Sequence, residues 1–145
     1  AEKIALASHS YLVERITELG GSIRFECSNA LEAALPVSDV FVLNDMLHYL
    51  SYESQERLLE NCLGSLQDNG MIVVRDGDTD NEKHSTTRLT EFFSTRFFRF
   101  NKTDGDLHFL STTRINDFAQ RHALSVERHT LERNTSNTVY ILRRI

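Results

Sequence analysis

The sequence predicts an α/β fold, a partial doubly wound sheet that closes with a C-terminal antiparallel strand pair. Two short apolar runs, residues 40–43 and 71–74, flank one amphipathic helix, as expected of a βαβ unit whose parallel strands are covered on both faces. Residues 124–130 and 138–142 read as strands, and the short loop between them requires antiparallel pairing. At 145 residues the chain is expected to form one domain.

The N-terminal part of the chain predicts a helix followed by a strand. Apolar residues recur at helical spacing through residues 2–19, and Gly20 and Gly21 supply a stop that tolerates a left-handed backbone. Residues 22–27 alternate between apolar and charged side chains, which predicts a strand with one exposed face. The simplest interpretation of Asn29 is that it caps the turn that follows.

The helix between the two apolar runs has a clear start and a clear end in the sequence. Ser51 is the expected N-cap, and Glu53 lies in the first turn, where a negative charge is favourable. Asp68, Asn69 and Gly70 are expected to close the helix and to turn the chain into the second strand. The apolar face of the helix consists of Leu58, Leu59, Cys62, Leu63 and Leu66.

The segment after the second apolar run is first polar and then rich in phenylalanine. Residues 80–87 predict a loop, and residues 92–100 hold five of the nine phenylalanines. Aromatic residues at this spacing usually form a packing face, and the alternative is a lid over a ligand. Ser111 or Thr112 is then expected to cap a further helix that carries Ile115.

Composition argues against several kinds of partner. The net charge is −5, the pI is about 5.7 and no Lys/Arg cluster is present, which disfavours a nucleic acid or an anionic membrane surface. No apolar run approaches the roughly 20 residues that span a bilayer, and no signal peptide is visible, so a cytoplasmic protein is expected. Cys27 and Cys62 lack both metal-ligand and disulfide spacing, so both are expected to be reduced core residues.

Polar side chains follow both central strands, at the sheet edge where ligands bind in open α/β folds. Asn44 and Asp45 follow the first apolar run, and His48 comes shortly after them. His48 is equally well interpreted as a catalytic base and as a residue that caps the next helix.

Alternating carboxylates follow the second apolar run, at Asp76, Asp78 and Asp80. Oxygen ligands from a flexible loop would suit Mg²⁺. No Asp-Asn pair follows them at the expected place, so a solvated acidic loop without a metal is the preferred interpretation.

The order of motifs resembles a known family. Residues 44–50 (Asn-Asp-Met-Leu-His-Tyr-Leu) follow a strand, and residues 66–74 (Leu-Gln-Asp-Asn-Gly-Met-Ile-Val-Val) follow a helix. This pattern resembles the C-terminal two thirds of class I S-adenosylmethionine-dependent methyltransferases, a Rossmann-like family with an acidic residue and a Leu-His pair after its fourth strand. Residues 68–70 stand where that family commonly has Pro-Gly-Gly, and the closing strand pair is similar to its reversed seventh strand. The resemblance extends from about residue 4 to residue 142.

The resemblance implies S-adenosylmethionine as cofactor and assigns residues to it. A side chain just after the third strand contacts the adenine amino group in that family, and side chains after the fourth strand lie beside the methionine portion. The corresponding positions are Ser28, Asn29, Ala30, Asn44, Asp45 and Leu47.

The resemblance also implies catalytic and substrate-binding residues. His48 and His108 are the candidate bases, His48 being preferred, and Asp45 is expected to orient either the substrate or the imidazole. The substrate-binding candidates are Arg75, Asp78, Phe97 and His108.

Part of the family pattern is missing. No Gly-x-Gly lies upstream of Asn44, and the acidic residue that holds the ribose hydroxyls is absent as well. Residues 1–145 are therefore expected to be one truncated methyltransferase-like domain from a longer chain, with other domains of that chain as partners. Without the first two strands a sheet edge stays exposed, which predicts self-association.

Three functions remain open from the sequence. The first is methyl transfer to a small apolar or aromatic acceptor by the longer protein, the fragment alone being inactive. The second is a non-catalytic methyltransferase-like module for interaction or scaffolding. The third, an unrelated nucleotide-binding domain, is weakened by the lack of a phosphate loop. A Gly-x-Gly encoded just before Ala1 would favour the first over the second.

Overall fold

The structure, a computed structural model, describes residues 11–80, 107–130 and 137–145. The chain divides into two compact units, Ala1–Ala34 and Leu35–Ile145.

The first unit contains helix α1, Tyr11–Glu18. Gly20 ends the helix with φ of 78°, and the amide of Gly21 donates to the carbonyl of Ile16 at 2.9 Å, which confirms the expected left-handed stop. Residues 2–10 of the predicted helix lie outside the described part of the chain.

The prediction of a strand at residues 22–27 is wrong. These residues have no regular secondary structure and are exposed, and no strand in the described part of the first unit pairs with them. A strand is stable only when a neighbour completes its hydrogen-bond ladder, so alternation alone did not suffice here. Cys27 is exposed with the rest of the segment, which also overturns its expected place in a core.

The second unit contains a four-stranded sheet. Its strands are β1 (Ser38–Asn44), β2 (Leu66–Gly77), β3 (Leu124–Thr130) and β4 (Asn137–Arg144). The order across the sheet is β1-β2-β4-β3, in which β1 and β2 run parallel and β4 is antiparallel to both of its neighbours. The predicted α/β class and the predicted C-terminal antiparallel pair are therefore confirmed.

Two helices and one short turn complete the second unit. Leu47–Tyr49 forms a 3₁₀ turn, Tyr52–Gly64 forms helix α2 and Thr112–Arg121 forms helix α3. Ser51 caps α2 by accepting from the amide of Ser54 at 3.3 Å, as predicted from the sequence. Ser111 caps α3 in the same way, which decides between the two predicted caps.

The core lies between these helices and one face of the sheet. Burial raises the pKa of the Cys62 thiol on α2 to about 11, as expected for a core cysteine. Glu56 on α2 pairs with Arg121 at 3.1 Å and with Arg114 at 3.6 Å, so the two helices are also linked at the surface. The main core side chains are Leu43, Leu58, Leu59, Ile72, Val74, Ile115, Phe118, Tyr140 and Leu142.

The strands are buried on one face rather than on both. Val40 and Val42 of β1 are 42% and 63% exposed, whereas Leu43 is buried. In β2 the buried side chains alternate with half-buried ones. Within the described residues of this unit the face of Val40 and Val42 is therefore not fully covered, and the prediction that both faces are covered is not met there.

Helix α2 ends and strand β2 begins earlier than predicted. The helix stops at Gly64 and the strand starts at Leu66, so residues 68–70 lie within β2 instead of forming the turn before it. The pairing with β1 shifts register here, because Ser38 pairs with Leu66 but Val40 pairs with Met71. Gly70 fits this irregularity, since a Cβ there would lie 2.7 Å from the carbonyl oxygen of Asp39.

Candidate functional site

The carboxyl ends of β1 and β2 meet at one edge of the sheet. Asn44 at the end of β1 is in register with Arg75 of β2, and the amide of Asp45 donates to the carbonyl of Arg75 at 2.8 Å. The polar residues that follow the two strands are thereby brought together, as expected for parallel neighbours.

A buried histidine–carboxylate pair is the main feature of this edge. His48 Nδ1 lies 2.6 Å from Asp76 Oδ1, and the two side chains are 1% and 0% exposed. A carboxylate accepts hydrogen bonds, so the proton of the imidazole is held on Nδ1, and Nε2 becomes the basic nitrogen of the ring.

Asp76 also holds the turn that carries His48. Its Oδ2 accepts from the amides of Leu47 at 3.0 Å and His48 at 3.2 Å, and its Oδ1 accepts from the amide of Gly77 at 2.8 Å. The same carboxylate therefore fixes both the backbone of the turn and the orientation of the ring.

The side chain of Asp45 contacts an arginine of β2. Its carboxylate pairs with Arg75, whose guanidinium also donates to the side-chain oxygen of Asn44 at 3.3 Å. Asp45 adopts φ of 50°, a left-handed conformation in which the chain leaves β1. Asp76 is the carboxylate that contacts Nδ1 of the imidazole, and the two roles predicted for Asp45 stay predictions.

The acidic residues after β2 are not a solvated loop. Asp76 and Asp78 are both 0% exposed, although Asp80 is exposed. Asp78 Oδ2 accepts from Arg128 Nη2 at 2.8 Å and from Thr112 Oγ1 at 3.0 Å. Buried carboxylates must be paired with donors, and the sequence pattern did not reveal the donors on β3 and α3.

The surroundings of Asp78 lower the pKa of its carboxyl group. Burial alone would raise this pKa, but hydrogen bonds from Tyr140, from the amide of Asp80 and from Thr112, with the charge of Arg128, outweigh burial. Burial also raises the pKa of the Tyr140 phenol. These contacts attach the end of β2 to α3, and any substrate contact of Asp78 stays a prediction.

Residues 107–110 lie against His48. The amide of His108 donates to the carbonyl of His48 at 2.9 Å, and the ring of Phe109 stacks on the imidazole with centroids 5.8 Å apart. The His108 ring itself packs edge-on with the ring of Tyr52, with centroids 5.1 Å apart. Tyr49 lies on the imidazole as well, with a centroid distance of 4.0 Å. Aromatic rings thus surround the imidazole, and the expected substrate contact of the His108 side chain is not tested.

The remaining site candidates belong to the first unit or fall outside the described residues. Ser28, Asn29 and Ala30 belong to the first unit, where the Asn29 side chain accepts from the amide of Leu31 at 3.1 Å and caps the turn. Phe97 lies outside the described residues, as does the rest of the phenylalanine-rich segment.

Asp76 is the site residue that sequence analysis missed as a partner of His48. The available signal was its position as the last acidic residue of a central strand, at the same sheet edge as His48. Pairing the two requires the register between β1 and β2, which the sequence does not contain.

Two further properties concern the described part of the chain. Residues 11–80, 107–130 and 137–145 contain no group of three His, Cys, Asp or Glu side chains placed to hold a metal ion. Within the same ranges, no helix is both long and apolar enough to cross a membrane.

The polar residues after β1 fit one half of a site for a nucleoside-containing cofactor. Asn44 is exposed and Asp45 is half-buried at the carboxyl end of β1, so their polar groups face the edge at which such a ligand would bind. The other half needs a glycine-rich turn that lets the backbone approach the ligand, and residues 1–44 contain no Gly-x-Gly.

Several solved structures superpose on this chain. An O-methyltransferase family protein from Burkholderia thailandensis superposes with a TM-score of 0.66 and 25% identity, over 90% of this chain and 39% of that one. The chain has the fold of the C-terminal part of class I methyltransferases. Human N-acetylserotonin methyltransferase, solved with S-adenosylmethionine, matches this methyltransferase fold with a TM-score of 0.63 and 16% identity, over 85% of this chain and 34% of that one.

A mitomycin 7-O-methyltransferase gives a similar result, with a TM-score of 0.62 and 18% identity, over 91% of this chain and 38% of that one. The chain thus spans less than half the length of the methyltransferases whose fold it shares. No protein-family model matches the sequence, and no curated protein matches it significantly.

Proposed function

We propose that the protein carrying this chain transfers a methyl group from S-adenosylmethionine to a small molecule that presents a hydroxyl group on an apolar or aromatic frame. The observation that carries the proposal is the buried His48–Asp76 pair, at the ligand edge of a class I methyltransferase sheet. A cytoplasmic location, and further domains of the same protein as partners, form part of the proposal.

When bound, S-adenosylmethionine supplies a methyl group activated by its sulfonium. Asn44, Asp45 and Leu47 are the residues of the described sheet edge that would hold it. His48 takes the proton of the acceptor hydroxyl at Nε2, because Asp76 keeps the other ring proton on Nδ1. The Asp76 carboxylate then stabilises the imidazolium that results.

Exclusion of water is the second contribution of these residues. The imidazole is fully buried, with Phe109 and Tyr49 against its ring, so its interaction with Asp76 is strengthened by the low local dielectric. Methyl transfer needs alignment of the two reactants more than it needs covalent help from the protein, and a rigid, dry site supplies that alignment.

The class of acceptor is proposed from two observations. A base is needed only when the attacking atom must lose a proton, and a hydroxyl is such an acceptor. Two of the structures with this fold are described as O-methyltransferases, one of them acting on mitomycin. The aromatic rings of Tyr49 and Phe109 beside the imidazole favour an apolar or aromatic frame.

A non-catalytic module for interaction or scaffolding is the second candidate. It is favoured by the complete burial of His48, which an acceptor reaches only if the covering residues move. Strand β1 lies at one end of the four described strands, so its outer edge is the place where we propose that two copies pair.

Calorimetric titration of S-adenosylhomocysteine distinguishes the two candidates. The titration compares this chain with a protein extended upstream along its gene by about 40–60 residues, one further βαβ half. Binding to the extended protein alone supports methyl transfer, and binding to neither supports the scaffold. If the chain of residues 1–145 binds S-adenosylhomocysteine without the extension, the assignment of the missing glycine-rich motif is wrong.

The role of His48 is tested in an extended protein that binds S-adenosylhomocysteine. With methyl-labelled S-adenosylmethionine and a panel of simple phenols, His48→Gln is expected to lower the turnover rate by roughly 10²–10⁴-fold, the usual contribution of a general base. Affinity for S-adenosylhomocysteine should change little. The matched control is His122→Gln, which removes a half-buried histidine that pairs with Glu60 on α2, away from the site. Equal turnover in both variants would exclude His48 as the base.

A further inference from the structure

Gln55 is a buried polar side chain near the start of α2 that points at three backbone carbonyls. It is 2% exposed. Its Nε2 lies 3.0 Å from the carbonyl oxygen of Leu47, 3.1 Å from that of Leu50 and 2.6 Å from that of His108. An amide nitrogen carries two hydrogens, so the three carbonyls share two donors. Gln55 therefore connects the 3₁₀ turn of His48 to residues 107–110, which come more than fifty positions later.

The His48 turn is held from two sides by side chains of different elements. Asp76 on β2 accepts from the amides of Leu47 and His48, and Gln55 on α2 donates to the carbonyl of Leu47. A three-residue 3₁₀ turn has poor hydrogen-bond geometry of its own and leaves several backbone groups without intrahelical partners. These two side chains supply partners to a buried turn, where an unpaired carbonyl is costly.

The segment joined to the turn by Gln55 is the one that covers the imidazole. The amide of His108 donates to the carbonyl of His48, and Gln55 binds the carbonyl of the same residue, so both backbone groups of His108 are fixed. Phe109 follows directly and stacks on the imidazole with an interplanar angle of 24°. Any movement of residues 107–110 away from His48 has to break the contact with Gln55.

We propose that Gln55 is a positioning residue that acts through His48. It attaches residues 107–110 to the His48 turn, keeps Phe109 against the ring and so maintains the imidazole in its geometry on Asp76. The catalytic meaning of this role rests on the proposed function, whereas the positioning itself does not.

The test uses Gln55→Met, which keeps the length of the side chain and removes both donors. The matched control is Ser51→Ala, which weakens the same end of α2 by removing its cap but reaches none of the three carbonyls. Two quantities are measured by NMR on the 145-residue chain. They are the hydrogen-exchange rate of the His108 amide and the ¹⁵N signals of the His48 ring, which report the tautomer.

Gln55→Met is expected to accelerate exchange of the His108 amide by at least about tenfold more than Ser51→Ala does. Without Gln55, residues 107–110 can open locally, and the amide then exchanges without unfolding of the whole protein. The His48 signals should show loss of the Nδ1-protonated tautomer in Gln55→Met alone. Equal exchange in the two variants overturns the proposal. Faster exchange with an unchanged tautomer also overturns it, since Gln55 would then hold the covering segment without positioning the ring.

A second variant keeps the test decisive if Gln55→Met does not fold. Gln55→Asn retains the amide but is one methylene shorter. The proposal requires that this variant, too, exchanges the His108 amide faster than Ser51→Ala does and loses the Nδ1-protonated tautomer of His48. Neither measurement needs a methyl donor or an acceptor. A negative result here therefore leaves methyl transfer to be judged by the S-adenosylhomocysteine titration, and a failed titration leaves the positioning result intact.

Discussion

At the scale of single residues, the site depends most on Asp76. Its carboxylate accepts hydrogen bonds from three backbone amides and one imidazole nitrogen, and all of these groups are buried. Hydrogen bonds to a buried charge contribute more than neutral ones, and their loss leaves several donors without partners. Asp76 is therefore expected to matter for folding as well as for the orientation of His48.

Asp76→Asn is expected to lower the free energy of unfolding by about 2–4 kcal/mol, because it removes the charge that holds the turn and the ring. Urea unfolding at pH 7 measures this change. Asp39→Asn serves as the control, since Asp39 is exposed on β1 and the loss there should stay within about 0.5 kcal/mol. A difference of less than 1 kcal/mol between the variants would contradict the importance of Asp76.

Asp78 predicts a specific dependence of stability on pH. The pKa of its carboxyl group is lower in the folded protein than the ordinary value of 3.8. The stability that this shift contributes is fully present above pH 3.8 and is lost as the pH falls through the folded pKa. Asp78→Asn is thus expected to have a lower free energy of unfolding than the parent protein at pH 7. The difference between the two proteins should shrink progressively below pH 3.8. Urea unfolding of both proteins between pH 7 and pH 2.5 measures the gap, and a gap that is constant with pH would contradict the assignment.

The residues of the site were only partly predictable from the sequence. His48 was a candidate because a histidine after a central strand lies at the ligand edge. Its partner could not be inferred, because Asp76 follows 28 positions later and the contact depends on how two strands pair. Asp78 was misinterpreted for a related reason, as its donors Thr112 and Arg128 come from elements much further along the chain.

At the scale of elements, strand β2 organises the second unit. It pairs in parallel with β1 on one side and antiparallel with β4 on the other, and it supplies Asp76 near its carboxyl end, just before Asp78. Its first residues are irregular, and the backbone of Asp39 approaches Gly70 closely there. A side chain at Gly70 would therefore push the two parallel strands apart.

Gly70→Ala is expected to destabilise the protein by roughly 1–3 kcal/mol, since the new Cβ meets the Asp39 carbonyl and the Leu66 side chain. Gly64→Ala is the matched control: a Cβ at the last residue of α2 meets nothing within 4 Å. Alanine also has the higher helix propensity, so this variant should gain up to about 1 kcal/mol. Thermal unfolding of the two variants gives the comparison, and equal midpoints would contradict the close approach at Gly70.

The elements themselves were predicted unevenly. Helix α2 and the closing strands followed from caps and periodicity, which are local properties. The strand at residues 22–27 failed because strand formation depends on a partner that the described part of its unit does not supply. The boundary at residues 64–66 was missed because the Asp-Asn-Gly sequence at 68–70 also suits an irregular strand.

At the scale of the whole molecule, the chain has a methyltransferase fold, and the proposed site lies at one edge of its sheet. It superposes on 39% of the Burkholderia thailandensis protein and on 34% of the human enzyme. The described sheet edge provides Asn44, Asp45 and the His48–Asp76 pair, and the glycine-rich half has no counterpart in residues 1–44. Whether this sheet edge binds S-adenosylmethionine is decided by titration of the protein with S-adenosylhomocysteine.

The most direct measurement is an NMR titration of the upstream-extended protein with S-adenosylhomocysteine, in which amide resonances locate the binding site. The largest shifts are expected at Asn44, Asp45 and Leu47, at the carboxyl end of β1, with little change along β3. Saturable binding with shifts at β3 only, or no shift in any amide, would contradict the assignment of this sheet edge as the site of methyl transfer.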